Sequence, residues 1–248
     1  MALAPSVSAE LTERGDLFIR FDGGIVPDAL PRQVDAPISV WVTGTVRVLS
    51  GNSHPPSLRR ISIALNRSGH LQTAGLPTCD RSRIEPATSA QALAVCGPAL
   101  VGTGHFAGRA ALPEQETFPV NGKILAFNAV VNGHTAILAQ VYSGHPVPTS
   151  RIIVFQIHHR HGIFGTVITG DLPVALNHYG YVRQISLRLH RRYRFGGKSR
   201  SYLNASCAAP AGFPGAVFPF ARASMVFDDG RRLSSTLTRS CHVLPGES

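Results

Sequence analysis

The sequence predicts an all-β fold: an antiparallel β-sandwich of about thirteen strands carrying one short, disulfide-stapled helix. Three observations carry that expectation. An Asn132-Gly133 pair joins two apolar runs, KILAFNAVV and HTAILAQVY. The stretch ISVWVTGTVRVL alternates, with Val40, Val42, Val46 and Val48 falling on one face of an extended chain. The 24 glycines and 18 prolines are spread along the 248 residues, which fits many turns and not a disordered tail.

The hairpin at 123–142 is the firmest element. Asn-Gly supplies the two positive-φ residues that a tight hairpin turn requires. A two-residue turn sets the register, so Val131 faces His134, Phe127 faces Leu138 and Ile124 faces Val141. Leu125, Phe127, Ala129, Ala136 and Leu138 then share one face. Ile124, Ala126, Val130, Ile137, Ala139 and Val141 share the other. Both faces are apolar, which places the hairpin mid-sheet and covered on both sides.

Taken in order, residues 1–15 read as a mobile lead-in or signal-peptide remnant, with Val7-Ser8-Ala9 like the small-x-small end of a cleavage site. One sandwich domain follows over 16–243. DLFIRF at 16–21 is a strand, and Gly23-Gly24 with the prolines at 27–31 makes a loop. After the alternating strand at 38–49, residues 58–65 pair across 66–69 with a short strand at 70–73. Thr88-x-x-Gln91 is a capping box in front of SAQALAVC, the one helix candidate. Strands resume at 100–111, in the central hairpin, at 151–159 and at 163–169. A long strand at 181–195 turns at Gly196-Gly197 into a partner at 199–207. A Gly/Pro loop at 208–216 leads to a last hairpin, 217–227 with 231–241.

The four cysteines, Cys79, Cys96, Cys207 and Cys241, match no zinc spacing and contain no Cys-x-x-Cys. An even count flanking compact segments favours two disulfides and an oxidising compartment. Of the three connectivities open to four cysteines, Cys79–Cys96 and Cys207–Cys241 are the shortest closures. No run approaches the ~18 apolar residues of a membrane helix.

The runs GLPTC, FPVNGKILAFNAVVNG, YSGHPVPTS, CAAPAGFPGAVFPFARASMVF and STLTRSC resemble a group of secreted, β-rich bacterial proteins with four cysteines and no assigned activity. The resemblance covers most of the chain after about residue 15 and includes all four cysteines. It implies export to an extracytoplasmic location and no mechanism.

Charge is the remaining clue. Lys plus Arg number 24 against 14 Asp plus Glu, a net +10, and only Lys123 and Lys198 are lysines. Guanidinium makes bidentate anion contacts that ammonium does not. In RQISLRLHRRYRFGGKSR, Ile185, Leu187, Leu189, Tyr193 and Phe195 take one strand parity, interrupted by Arg191. Arg188, His190, Arg192 and Arg194 take the other, a cationic stripe extended by Lys198 and Arg200, with Tyr179 and Tyr181 upstream as a stacking surface. Such a stripe suits an anionic polymer: a glycan, a wall polymer or a nucleic acid. A solvated face that blocks edge-to-edge pairing would look similar.

Chemistry-bearing motifs are absent. There is no Gly-x-Ser-x-Gly, no phosphate loop and no favoured carboxylate pair. His158 and His159 point to opposite faces of a strand, and two ligands are too few for zinc, so no metal, cofactor or catalytic residue is assigned. The leading expectation is a secreted, non-catalytic binding module for an anionic polymer. Two others stand beside it: a protein-binding assembly factor using the loop with Phe213, Phe218 and Phe220, and a hydrolase built from dispersed residues.

Overall fold

The computed structural model describes residues 9–49, 54–110, 114, 116–145, 147–172 and 180–246. The first half contains β1 (Glu10–Arg14), β2 (Leu17–Val26), β3 (Ala29–Leu30), β4 (Ala36–Pro37), β5 (Ser39–Val48), β6 (Leu58–Asn66) and β7 (Gly69–Leu71). The helix α1 (Ser89–Cys96) precedes β8 (Leu100–Ala110), β9 (Phe118–Val131) and β10 (His134–Ser143). Then come β11 (Thr149–His159), β12 (Phe164–Asp171), β13 (Gly180–Leu189), β14 (Arg192–Phe195) and β15 (Lys198–Ser201). The last three are β16 (Leu203–Ala205), β17 (Gly215–Phe227) and β18 (Arg232–Val243).

The central hairpin has the register read from its turn: Val131 pairs with His134, Phe127 with Leu138 and Ile124 with Val141. Asn132 and Gly133 take φ of 52° and 78°, as two-residue turns of this kind demand. β9 and β10 lie in the middle of a 13-stranded sheet of order β1-β2-β5-β13-β8-β9-β10-β11-β12-β6-β17-β18-β3. Its ladders are antiparallel apart from the short β18–β3 pairing.

The fold is therefore mostly β, but thirteen of the strands form one continuous sheet curled into a half-barrel, which is not clearly a sandwich. Turn signals reveal which consecutive strands pair. They do not reveal the ladders β5–β13, β13–β8, β12–β6 and β6–β17, and these join the thirteen strands of the main sheet into one surface. Leu17 of β2, Val40 of β5, Ala126 of β9, Ile168 of β12 and Leu237 of β18 belong to one buried cluster. Side chains from both ends of the sheet meet there, so this face is the inside of the curl.

The outer face of the hairpin is covered differently. Leu125, Phe127, Ala129 and Leu138 pack with Ala92, Cys79 and Cys96 under the helix. The helix begins where the capping box places it: Thr88 Oγ1 accepts from Gln91 N, and Gln91 Oε1 accepts from Thr88 N. Both disulfides have the expected partners, Cys79 with Cys96 and Cys207 with Cys241. Buried Gln140 also holds the helix start, donating from Nε2 to the Ala87 carbonyl at 2.7 Å.

Four further segments differ from the sequence reading. Residues 10–14 are a paired edge strand and not lead-in; ELTER is charged and carries little apolar alternation, but Gly15 at φ 65° turns it back on β2. Gly23 and Gly24 lie inside β2, where a Cβ on Gly24 would stand 3.1 Å from the Trp41 indole nitrogen. β7 does not pair with β6, whose two edges are occupied by β12 and β17; it joins β4 and β16 in a small three-stranded sheet. The long strand at 181–195 breaks at 190–191 into β13 and a separate β14–β15 ribbon, and its expected partner at 199–207 divides into β15 and β16. Arg191 falls on the core-facing parity, where an unbroken strand would bury a guanidinium. Instead Arg191 Nη2 donates to the Pro98 carbonyl at 3.1 Å, and the chain turns away.

Candidate functional site

The register fixes which side chains share the outer face beside the helix. Across the sheet one row runs Thr43, Ser186, His105, Lys123, Tyr142 and Ser150. The next row carries Trp41, Arg188 and Thr103, continuing into Leu125 beneath the helix. On the other side, a row carries Arg20, Thr45, Gln184, Ala107 and Asn121. Arg20, Arg47, His105, Lys123 and Arg188 are all exposed. Asp22 also lies on this side of β2, but Arg239 Nη2 donates to its Oδ1 at 2.6 Å and neutralises it.

The expected stripe is present in two pieces. Arg188 stands on β13, and His190 is exposed at the break that follows it. Arg192 and Arg194 lie on the ribbon, facing the same way as Ser201 and Ser199 by register. The opposite ribbon face carries Tyr193 and Phe195. It is held down by Tyr193 Oη donating to the Ala74 carbonyl at 3.0 Å and by the Phe195 ring over Gly75. Arg200 pairs with Tyr193 and Lys198 with Phe195, so these two cations turn away from Arg192 and Arg194 and do not extend the stripe. Arg200 instead lines a hollow with Asp35, His70 and Asn204. The two-residue Gly196-Gly197 turn, with φ of 59° and 75°, determines that orientation.

Tyr181 is half-buried and tilted against His54, ring centroids 5.0 Å apart, so only part of its ring is open for stacking. A bulge between Val182 and Gln184 sets Tyr181 opposite Arg109, on the outer face with Gln184, Ser186 and Arg188. Tyr179 lies outside the described residues. Arg188, His190, Arg192 and Arg194 have no ion-pair or hydrogen-bonding partner for their side chains among the described residues. No acidic residue occurs between Asp171 and Asp228 to neutralise them from within the same stretch.

A groove of about 750 Å³ opens on this face next to the first turn of α1. Its side chains include His105, Lys123, Tyr142, Asn121, Gln184 and Ser186, with Ser89 and Ala90 of the helix as one wall. Sequence reasoning missed these residues. The Lys123–Tyr142 pairing follows from the hairpin turn alone, but His105 and Gln184 reach the groove through ladders between distant segments.

The other sequence candidates are less assembled. Phe220 is buried and Phe218 half-buried in the core, which leaves Phe213 as the one strongly exposed aromatic of the three. Arg32 pins that loop, with Nη1 donating to the Ala209 carbonyl at 2.6 Å and Nη2 to the Phe213 carbonyl at 3.0 Å. His159 and His161 share a hollow with His70, Arg67 and Arg160. Among the described residues, no group of three or more His, Cys, Asp or Glu side chains is placed to hold a metal. Comparison with protein families, with curated proteins and with solved structures finds no match.

Proposed function

We propose that this protein is an extracytoplasmic, non-catalytic binding module for an anionic polymer, which it engages with the outer face of the half-barrel. The observation that carries the reading is the set of exposed, unpaired cations Arg188, Arg192 and Arg194, joined on the sheet by Arg20, Arg47 and Lys123. A cation without an acidic neighbour keeps its charge available to a ligand. An array of them over a rigid sheet raises the local concentration of a polyanion. The two disulfides are consistent with an oxidising, extracytoplasmic compartment.

Binding then falls linearly with log salt, because each cation that meets the polymer releases a counterion. Replacing Arg188, Arg192 and Arg194 together by Gln is expected to weaken binding and to flatten the salt slope by ~2–3 units. Thermal stability stays nearly unchanged, since exposed charges contribute little to folding. The matched control is Arg67, Arg160 and Arg232 to Gln, three exposed arginines elsewhere on the molecule with no side-chain ion pair among the described residues. Equal weakening by both triples would reduce the effect to bulk charge. Failure of heparin-like, nucleic-acid and wall-polymer ligands to bind at low salt would overturn the reading.

A further inference from the structure

We propose that the groove beside α1 is a seat for one singly charged sugar unit, its anionic group a carboxylate or a sulfate ester held by Lys123. This rests on the polyanion reading for its context, and it names the unit that the polymer would carry. The groove's volume, about 750 Å³, lies within the range of small-molecule sites.

Its charge is specific. Among the described residues, Lys123 is the one lysine or arginine in the lining, beside His105 and His145, and no aspartate or glutamate is among them. Lys123 is exposed and makes no ion pair among the described residues, although it stands in the middle of the longest strand of the central sheet. One fixed positive charge balances one negative charge. A doubly charged phosphate would keep one negative charge unmatched by a lysine or arginine of this lining.

The helix wall adds uncharged donors. The capping box takes up the amides of Thr88 and Gln91, and Ala92 N donates to the Thr88 carbonyl. The amides of Ser89 and Ala90 remain without an acceptor among the described residues, and both residues line the groove. Opposite this wall, Asn121, Gln184 and Ser186 offer amide and hydroxyl groups that match sugar hydroxyls, and Tyr142 offers a half-buried ring. His105 and Tyr142 flank Lys123 across the sheet, so the three span about two strand spacings, ~10 Å, on a rigid ladder.

The test uses the intact protein at low salt, titrated with glucuronate, glucose 6-sulfate, glucose 6-phosphate and uncharged glucose while amide and side-chain NMR shifts are followed. Glucuronate or glucose 6-sulfate is expected to move signals of Lys123, His105 and Ser89, and whichever does so identifies the anionic group. Glucose should leave those signals in place. Lys123→Gln should weaken that response about tenfold or more. The Arg67, Arg160 and Arg232 triple variant, which removes the same charge far from this face, should leave it intact. Stronger binding of glucose 6-phosphate than of either monoanion, or shifts that Lys123→Gln does not diminish, would overturn the seat. If the polymer binds with a linear salt slope while the monoanionic sugars leave the groove unperturbed, the seat falls and the polymer reading stands. If the sugars bind through Lys123 while no polymer binds, the seat stands and the polymer reading falls.

Discussion

Tyr202 shows how much a single side chain is set by its surroundings. It is fully buried between β15 and β16, and its hydroxyl has no partner among the described residues. Desolvation raises its pKa, because the phenolate would lose its hydration. The unfolded chain therefore releases this proton near pH ~10, before the folded chain does. Stability from this group is complete below that pH and is lost as pH rises toward the folded value. Tyr202→Phe should flatten the alkaline fall of the melting temperature. At neutral pH it should leave stability unchanged or slightly higher, since an unpaired buried hydroxyl costs about 1–3 kcal/mol. A neutral-pH loss above about 1 kcal/mol would mean that the hydroxyl has a hydrogen-bond partner. None of this was legible in the chain, where Tyr202 sits in a polar run, SRSYLN. Lys123 is the opposite case: the turn at Asn132-Gly133 already set it against Tyr142.

Elements held by local signals were the ones that could be read. The β9–β10 register, the helix at Ser89–Cys96 and the Cys79–Cys96 closure each depend on residues close in sequence. Phe127→Ala and Leu138→Ala should each cost ~2–5 kcal/mol in chemical denaturation, since both side chains are essentially unexposed beneath the helix. A loss under ~1 kcal/mol would place the hairpin outside the core. Opening the Cys79–Cys96 bridge should lower the melting temperature, in the chain-entropy model by ~3 kcal/mol of stability. Protein with both disulfides reduced and an unchanged melting point would contradict that. The strand at 181–195 was misread for a physical reason. Its alternation continues through Arg191, and only the tertiary contact to the Pro98 carbonyl shows that the chain leaves the sheet there. The cationic stripe was divided for the same reason, and the β14–β15 register turned Lys198 and Arg200 to the other side.

At the scale of the whole molecule, the curl brings two sheet edges together without a backbone ladder between them. The seam between β1–β2 and β18 is made by arginines. Arg14 Nη1 donates to the Arg232 carbonyl at 3.1 Å, and Arg231 Nη1 meets Asp16 Oδ1 at 2.7 Å. Arg239 donates from Nε to the Gly23 carbonyl at 2.6 Å and from Nη2 to Asp22. Unpaired sheet edges invite association with other chains, so a side-chain seam both closes the fold and shields its edges. The three arginines differ in burial: Arg14 is exposed, Arg231 half-buried and Arg239 buried at 8% exposure. Their contributions should follow that order. Arg239→Ala strands the Gly23 carbonyl and a largely buried Asp22 carboxylate, and should cost ~3–5 kcal/mol. Arg14→Ala should stay within ~0.5 kcal/mol. If the seam is what holds the ends together, Arg239→Ala will also speed amide exchange in β1 and β2 far more than in β9 and β10. A uniform rise across the sheet would instead assign the closure to the inner core, where Leu17 and Leu237 meet in the same cluster. A double-mutant cycle with Asp22→Asn separates the ion pair from the Gly23 contact, because only the former is shared by both substitutions.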